Sequence, residues 1–184
     1  MRVKGAAIID LVKIIRAQKH RDWSQHLAPA DLDIVNSIVL PTSYYPGDSF
    51  WRISWAVTKE VAGGNLEKAF IFGRESAKTY LSVYKRLVVE GDPATTIENF
   101  VRVWTNFYDV EGAPYEGMQL EKGPGFVRIV AHDYPDMDIP EARKPYFHGL
   151  AGYFQEIAEQ TSGRPIRNTV TDHGSSFELI YRWS

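Results

Sequence analysis

The chain has 184 residues, which is enough for one well-buried core and short for two domains. Its formal net charge of −2 argues against a nucleic-acid-binding protein, because such proteins usually present a dominant basic face. There is no cysteine, so disulfides, thiolate metal sites, iron–sulfur clusters and cysteine nucleophiles are excluded. No apolar run of about 18 residues is present, and we expect a cytoplasmic protein without membrane insertion.

Helices dominate the first part of the chain, where apolar residues recur at spacings of three and four. Helix-starting and helix-ending residues divide this part at Pro29, Gly63, Asn65 and Asp92. The predicted helices cover residues 6–19, 23–36 in shorter pieces, 49–61, 65–90 and 93–108, with a loop over 40–47. In the last of these helices, the spacing of Phe100, Trp104 and Tyr108 predicts a face that points inward.

After Gly112 the period changes, and apolar residues alternate with polar ones as they do in strands. The predicted elements are a strand pair around the turn 122–125, a helix over 141–160 and a second hairpin over 166–183. Because helices and strands are segregated along the chain, we predict an α+β fold rather than a doubly wound sheet. The prediction is a single domain over residues 1–184, with a helical half, 1–112, packed on a ββαββ half, 113–184.

No segment of the sequence has the pattern of a catalytic site or a metal site. The acidic loop 133–138 lacks the glycine and terminal glutamate of a calcium-binding loop, which favours a solvated loop. Asp172, His173 and Ser175 are triad residue types, but members of a triad come together from distant positions, and these lie in one predicted turn. Neither a phosphate-binding loop nor a dinucleotide fingerprint is present. We therefore predict a protein that is not an enzyme and holds no metal.

Two further features, Gly73-Arg74 and His148, lie on predicted helices. Gly73 permits close helix packing, and Arg74 beside it offers a fork of donors, for which a surface ion pair is the ordinary interpretation. His148 lies in an aromatic stretch of the last helix. A lone histidine there is usually a hydrogen-bonded packing residue, and the alternative is a residue of a pocket.

Several short motifs, taken in their order and spacing, carry a resemblance to known proteins over nearly the whole chain. They are Val3-Lys4-Gly5, Tyr45-Pro46, Phe72-Gly73-Arg74, Ile97-Glu98-Asn99-Phe100 before Trp104, and Phe177-Glu178-Leu179-Ile180-Tyr181. The chain resembles the superfamily of heme-NO/oxygen-binding (H-NOX) domains, vinyl-reductase-type ligand-binding domains and small TRAPP tethering subunits. It is most similar to an uncharacterised bacterial family known mainly from myxobacteria. The resemblance implies a crevice between the two halves.

The chain departs from the H-NOX pattern at the residues that hold heme. In H-NOX domains a histidine of the helix corresponding to 93–108 ligates the iron, but that helix has no histidine here, and Trp104 falls at about its place. The Tyr-x-Ser-x-Arg motif that grips the heme propionates is also missing, since the nearest stretch, 139–143, supplies only Arg143. A histidine-ligated heme is hard to build without an axial imidazole. We therefore predict no cofactor.

The leading hypothesis is a non-enzymatic sensor or regulatory domain that binds a small apolar ligand and reports through a protein contact. Six residues on the central and final helices are the predicted pocket: Phe70, Tyr80, Trp104, Phe107, His148 and Tyr153. A second hypothesis is a docking or tethering module without a ligand, as a homodimer or with another protein, for which an exposed aromatic patch is the expected sign. A third is heme binding through an unusual ligand such as His148.

Overall fold

The computed structural model describes all 184 residues and has the predicted α+β architecture. Its helices are α1 (Gly5–Ala17), α2 (Pro29–Asn36), α3 (Gly47–Ala62), α4 (Leu66–Val83), α5 (Pro93–Thr105) and α6 (Pro140–Ser162), with 3₁₀ turns at Trp23–Gln25 and Lys85–Leu87. Its strands are β1 (Arg2–Lys4), β2 (Tyr44–Pro46), β3 (Tyr108–Val110), β4 (Ala113–Pro114), β5 (Met118–Gly123), β6 (Phe126–His132), β7 (Arg167–Asp172) and β8 (Ser176–Arg182). None of the helices is long and apolar enough to cross a membrane.

The larger sheet and α6 form the predicted ββαββ unit. Its four antiparallel strands follow the order β5-β6-β8-β7. Ile129 of β6 lies opposite Leu179 of β8, and both side chains are completely buried. The ring of Phe147 on α6 stacks on Phe177 of β8 with 4.4 Å between centroids. The alternating pattern therefore turns the apolar side of the sheet toward α6.

A second sheet, of shorter strands, lies within residues 2–114 and was not predicted. Its order is β2-β1-β3-β4, and Val3 of β1 pairs with Tyr45 on one side and Tyr108 on the other. The helix predicted over 93–108 ends at Thr105, and the chain then enters β3. The first half is therefore mainly, but not purely, helical, and its start is bound to the end of α5 through this sheet.

The helix boundaries follow local capping chemistry. The Asn65 side chain accepts a hydrogen bond from the Lys68 amide, and Asp92 accepts one from the Thr95 amide, as expected of N-cap residues. Gly63 ends α3 in the left-handed conformation, with φ of 63°. Two predicted boundaries were wrong. Helix α3 begins at Gly47 rather than at residue 49, and α4 ends at Val83 rather than at residue 90.

Helices α4 and α6 approach each other to backbone contact. A Cβ atom on Gly73 would lie 1.8 Å from the carbonyl oxygen of Gly149, and one on Gly152 would lie 2.0 Å from that of Phe70. The prediction that Gly73 permits close packing is thus confirmed. Arg74 bridges the same two helices, because it donates to Glu156 at 2.7 Å and to Glu159 at 2.5 Å. Since Glu156 is 1% exposed, this is not the surface pair predicted from the sequence.

Candidate functional site

A cavity of about 190 Å³ lies between the helices of the first half and α6. Side chains from α1, α3, α4, α5, β3 and α6 line it. Among the lining residues, Asp10 and Ser76 are only partly buried, so the cavity reaches the solvent. Its volume exceeds the roughly 150 Å³ of an apolar cavity that admits benzene and is below the roughly 300–1,000 Å³ of drug-sized pockets. The space therefore suits a small molecule.

Seven aromatic rings line the cavity. The lining rings are those of Phe50, Phe72, Tyr80, Trp104, Tyr108, Tyr146 and Tyr153. Tyr80 meets Tyr153 edge to face with 5.8 Å between centroids and an interplanar angle of 77°. Trp104 tilts against Tyr153 at 5.0 Å. These three side chains, from α4, α5 and α6, make a corner whose walls have different orientations.

Three tyrosine hydroxyls and one indole N–H form a hydrogen-bond network at the wall. The hydroxyls of Tyr108 and Tyr146 are 2.9 Å apart, and Tyr146 donates to the hydroxyl of Tyr134 at 3.2 Å. The Trp104 indole donates to the same Tyr134 oxygen at 3.3 Å. Burial raises the pKa of each of the three tyrosines well above its usual value, so all three are protonated donors. Four donor protons thus share three hydrogen bonds, and one proton is left over.

The wall carries one charged side chain. Asp10 of α1 is the only aspartate or glutamate that lines the cavity, and no lysine, arginine or histidine does. The carboxylate of Asp10 pairs with Lys13 at 2.9 Å on the helix surface, where their side chains are 42% and 69% exposed. Burial, together with the charge of Asp10, raises the pKa of the Tyr80 phenol. The formal charge of the lining is therefore negative.

Half of the residues predicted for the pocket line the cavity. Tyr80, Trp104 and Tyr153 are part of its wall, whereas Phe70, Phe107 and His148 are not. Phe107 is buried behind the wall, with its ring centroid 6.2 Å from that of Tyr80. Since successive residues of an α-helix point about 100° apart, a candidate that is wrong by two positions lies on nearly the opposite side of the helix.

His148 and Phe70 illustrate this error. Tyr146 lines the cavity on α6 while His148 does not, and Phe72 lines it on α4 while Phe70 does not. His148 is half-buried, and burial together with the nearby Lys144 lowers its pKa. The inward face predicted for α5 has the expected burial, because Phe100 is fully buried and Trp104 lines the cavity.

The other polar segments make structural contacts. In the acidic loop, Asp133 accepts from Arg143 at 2.8 Å, and Asp136 pairs with the N-terminal amine. Asp172 accepts from Arg143 at 2.6 Å and from the Gly174 amide, which places it in the β7–β8 turn. No group of three or more carboxylate or imidazole side chains is arranged to hold a metal ion.

The structure is similar to solved H-NOX domains. No family model and no curated protein matches the sequence. A Cs H-NOX mutant with an unnatural 4-cyano-phenylalanine superposes with a TM-score of 0.64 at 14% identity, covering 97% of this chain and 95% of that chain. The Fe(II) unliganded H-NOX mutant from K. algicida gives 0.64 at 11% identity, with 97% and 95% coverage. A T. tengcongensis H-NOX mutant gives 0.62 at 14% identity, with 97% and 96% coverage.

The chain therefore has an H-NOX-like fold. At these identities the likeness concerns the fold alone. The resemblance to the myxobacterial family and to the vinyl-reductase-type and TRAPP proteins stays a prediction.

The residues that line the cavity do not fit a heme group, which the likeness to H-NOX domains would suggest. No histidine lines the wall, so neither α5 nor His148 presents an axial imidazole there. The lining tyrosines are poor sources of a tyrosinate ligand, since burial raises the pKa of Tyr80, Tyr108, Tyr146 and Tyr153. No basic side chain faces the space to pair with propionates, and the volume is near that of a benzene-sized site.

Proposed function

We propose that this chain is a non-enzymatic sensor or regulatory domain that binds a small, mostly apolar molecule in its cavity and does so without heme. The observation that carries this proposal is the cavity of about 190 Å³, walled by aromatic rings, inside an H-NOX-like fold. Apolar pockets with a few polar groups are the usual sites for small ligands. Here the polar groups are phenol hydroxyls, the Asp10 carboxylate and the hydroxyls of Ser54, Thr58 and Ser76.

The contacts of α1 suggest how binding is reported to a partner. Four α1 residues line the cavity, and the first turn of α1 is bound to the loop before β2. The Gly5 amide donates to the Ser43 carbonyl at 2.9 Å, and the Ala6 amide donates to the Pro41 carbonyl at 3.0 Å. A shift of α1 on ligand binding would therefore move this loop.

The same loop carries the most exposed apolar side chain. Ile38 is 84% exposed and Leu40 is 53% exposed, and Tyr44, the first residue of β2, is 41% exposed beside them in the chain. Exposed apolar groups that lie together mark surfaces for protein contacts. We assign the protein contact of the sensor to this loop. A docking module without a ligand, or a homodimer, is the second candidate function and would use the same surface, although only one of its exposed apolar residues is aromatic.

The experiment that tests the proposal combines a neutral probe with hemin. Benzene should bind the purified protein in saturation-transfer NMR. Ser54 lines the cavity on α3, so Ser54→Phe should fill the space and abolish binding, while Ser54→Ala should retain it. Titration with hemin should give only weak, non-stoichiometric absorbance.

Three results would contradict the proposal. Benzene binding that is absent, or that Ser54→Phe leaves unchanged, would rule out the cavity as the binding site and leave the docking module as the leading candidate. A stoichiometric Soret band that Ser54→Phe abolishes would show heme in the cavity. A band lost only in His148→Ala would support the unusual heme ligand instead.

A further inference from the structure

We infer that the cavity selects a small organic cation of the alkylammonium class, held against the rings of Tyr80, Trp104 and Tyr153 with Asp10 as the counter-charge. This inference rests on the proposed function and specifies the ligand. It starts from the composition of the wall, in which seven aromatic side chains and one carboxylate occur without any cationic group. Neutral apolar ligands do not need a carboxylate, and anions would be repelled by one.

The arrangement of the rings suits a positive charge. An aromatic face carries the negative part of the ring quadrupole and attracts a cation within about 6 Å of its centroid. Tyr80 and Tyr153 are nearly perpendicular, at 77°, and Trp104 is tilted by 52° from Tyr153. A group in this corner can therefore meet ring surfaces from more than one direction. Quaternary ammonium groups are recognised in this way because they are cationic, bulky and weakly hydrated.

Asp10 supplies the charge that the rings lack. Moving a cation out of water is costly unless a charge of opposite sign stands near it. Asp10 belongs to the cavity wall on α1 and also borders a neighbouring pocket that it shares with Tyr80. Its pairing with Lys13 is an exposed contact between residues three apart on one helix, which is a weak interaction. A ligand cation can therefore compete with Lys13 for the carboxylate.

The size of the site agrees with this class of ligand. A trimethylammonium group is similar in bulk to benzene, and the cavity volume of about 190 Å³ leaves room for a short chain beyond it. The lining phenols are kept neutral by burial, and none of them supplies a competing charge.

The test compares choline with 3,3-dimethyl-1-butanol, in which a neutral carbon replaces the ammonium nitrogen at nearly constant shape. Isothermal titration calorimetry on the full chain should show that choline binds about tenfold more tightly, as expected for a cation against aromatic rings. Added salt should weaken the binding of choline and leave that of the alcohol unchanged.

Matched variants distinguish the contribution of the Asp10 charge to choline affinity from that of the aromatic rings. Asp10→Asn should lower the affinity for choline about fivefold without affecting the alcohol, whereas Asp33→Asn, an exposed carboxylate outside the cavity, should change neither. Tyr80→Phe keeps an aromatic face and should retain choline, while Tyr80→Leu should weaken it severalfold.

The outcomes distinguish this inference from the proposed function. If the alcohol binds as tightly as choline, and Ser54→Phe abolishes the binding of both, the selection of a cation is wrong and a neutral-ligand sensor remains. Equal binding of choline to Asp10→Asn and to the unmodified protein would also overturn the role of Asp10. If neither compound binds while benzene does, the inference of a cationic ligand is wrong and the proposed function still holds.

Discussion

The two faces of α6 show how differently one helix is used. The face toward the larger sheet includes Phe147, Ala151 and Phe154, all completely buried. The face toward the other helices includes Tyr146 and Tyr153, which border the cavity. The first face packs against the strands of the larger sheet, while the second borders open space. The comparison indicates that stability is concentrated on one side of α6 and the capacity to bind on the other.

The largest expected effect is on the sheet face. Phe154→Ala should lower the free energy of unfolding by about 3–5 kcal/mol, because it removes a fully buried ring from a packed layer that cannot collapse around the gap. Urea denaturation measures this directly. A loss well below 1 kcal/mol would mean that the sheet face is as loosely packed as the cavity face, and the comparison would no longer hold.

A smaller effect is expected on the cavity side. Trp104→Ala should lower the free energy of unfolding by about 1–3 kcal/mol, since the indole is only partly buried and already borders an open space. The same urea denaturation series provides the measurement. A loss equal to that of Phe154→Ala would show that the cavity closes around Trp104 in solution, whereas an unchanged midpoint would place the indole in solvent.

The smallest effect concerns single hydroxyl groups on the two faces. Tyr181 donates to the Ala151 carbonyl at 3.1 Å from the sheet side, so Tyr181→Phe should cost about 0.5–1.5 kcal/mol. Tyr108→Phe removes the partner of the Tyr146 hydroxyl, and with it one of the three hydrogen bonds of the network, so it should cost a similar amount. Thermal denaturation of the two variants side by side checks this. A much smaller loss for Tyr108→Phe would mean that its hydroxyl contributes nothing to the network.

Most of the fold could be predicted because its helices and long strands carry strong local signals. Asn65, Asp92 and Gly63 marked helix ends through their capping chemistry, and alternation marked β6 and β8. The smaller sheet could not be predicted. Its strands have two or three residues each, too few to display a period. Tyr108 also continued the apolar spacing of α5, which concealed the start of β3.

The cavity was predictable by element but not by residue. Sequence reasoning selected α4, α5 and α6 correctly, and Tyr80, Trp104 and Tyr153 line the space. It missed the contributions of α1 and α3, including Asp10, because nothing local shows which elements meet across a fold. Phe50, near the predicted start of α3, could have indicated that α3 contributes to the cavity. An apolar residue at that position is usually packed in the core, however, so it was not selected.

The glycines between α4 and α6 restrict how the ligand preference of this chain can diverge. Because Gly73 and Gly152 already let backbone touch backbone, the two helices cannot come closer, and any side chain there would force them apart. Descendants of this sequence can therefore alter the molecule they accept mainly by exchanging side chains on α1, α3 and α5. We expect natural variation to be tolerated around Asp10, Ser54 and Trp104 and to be rare at the two glycines.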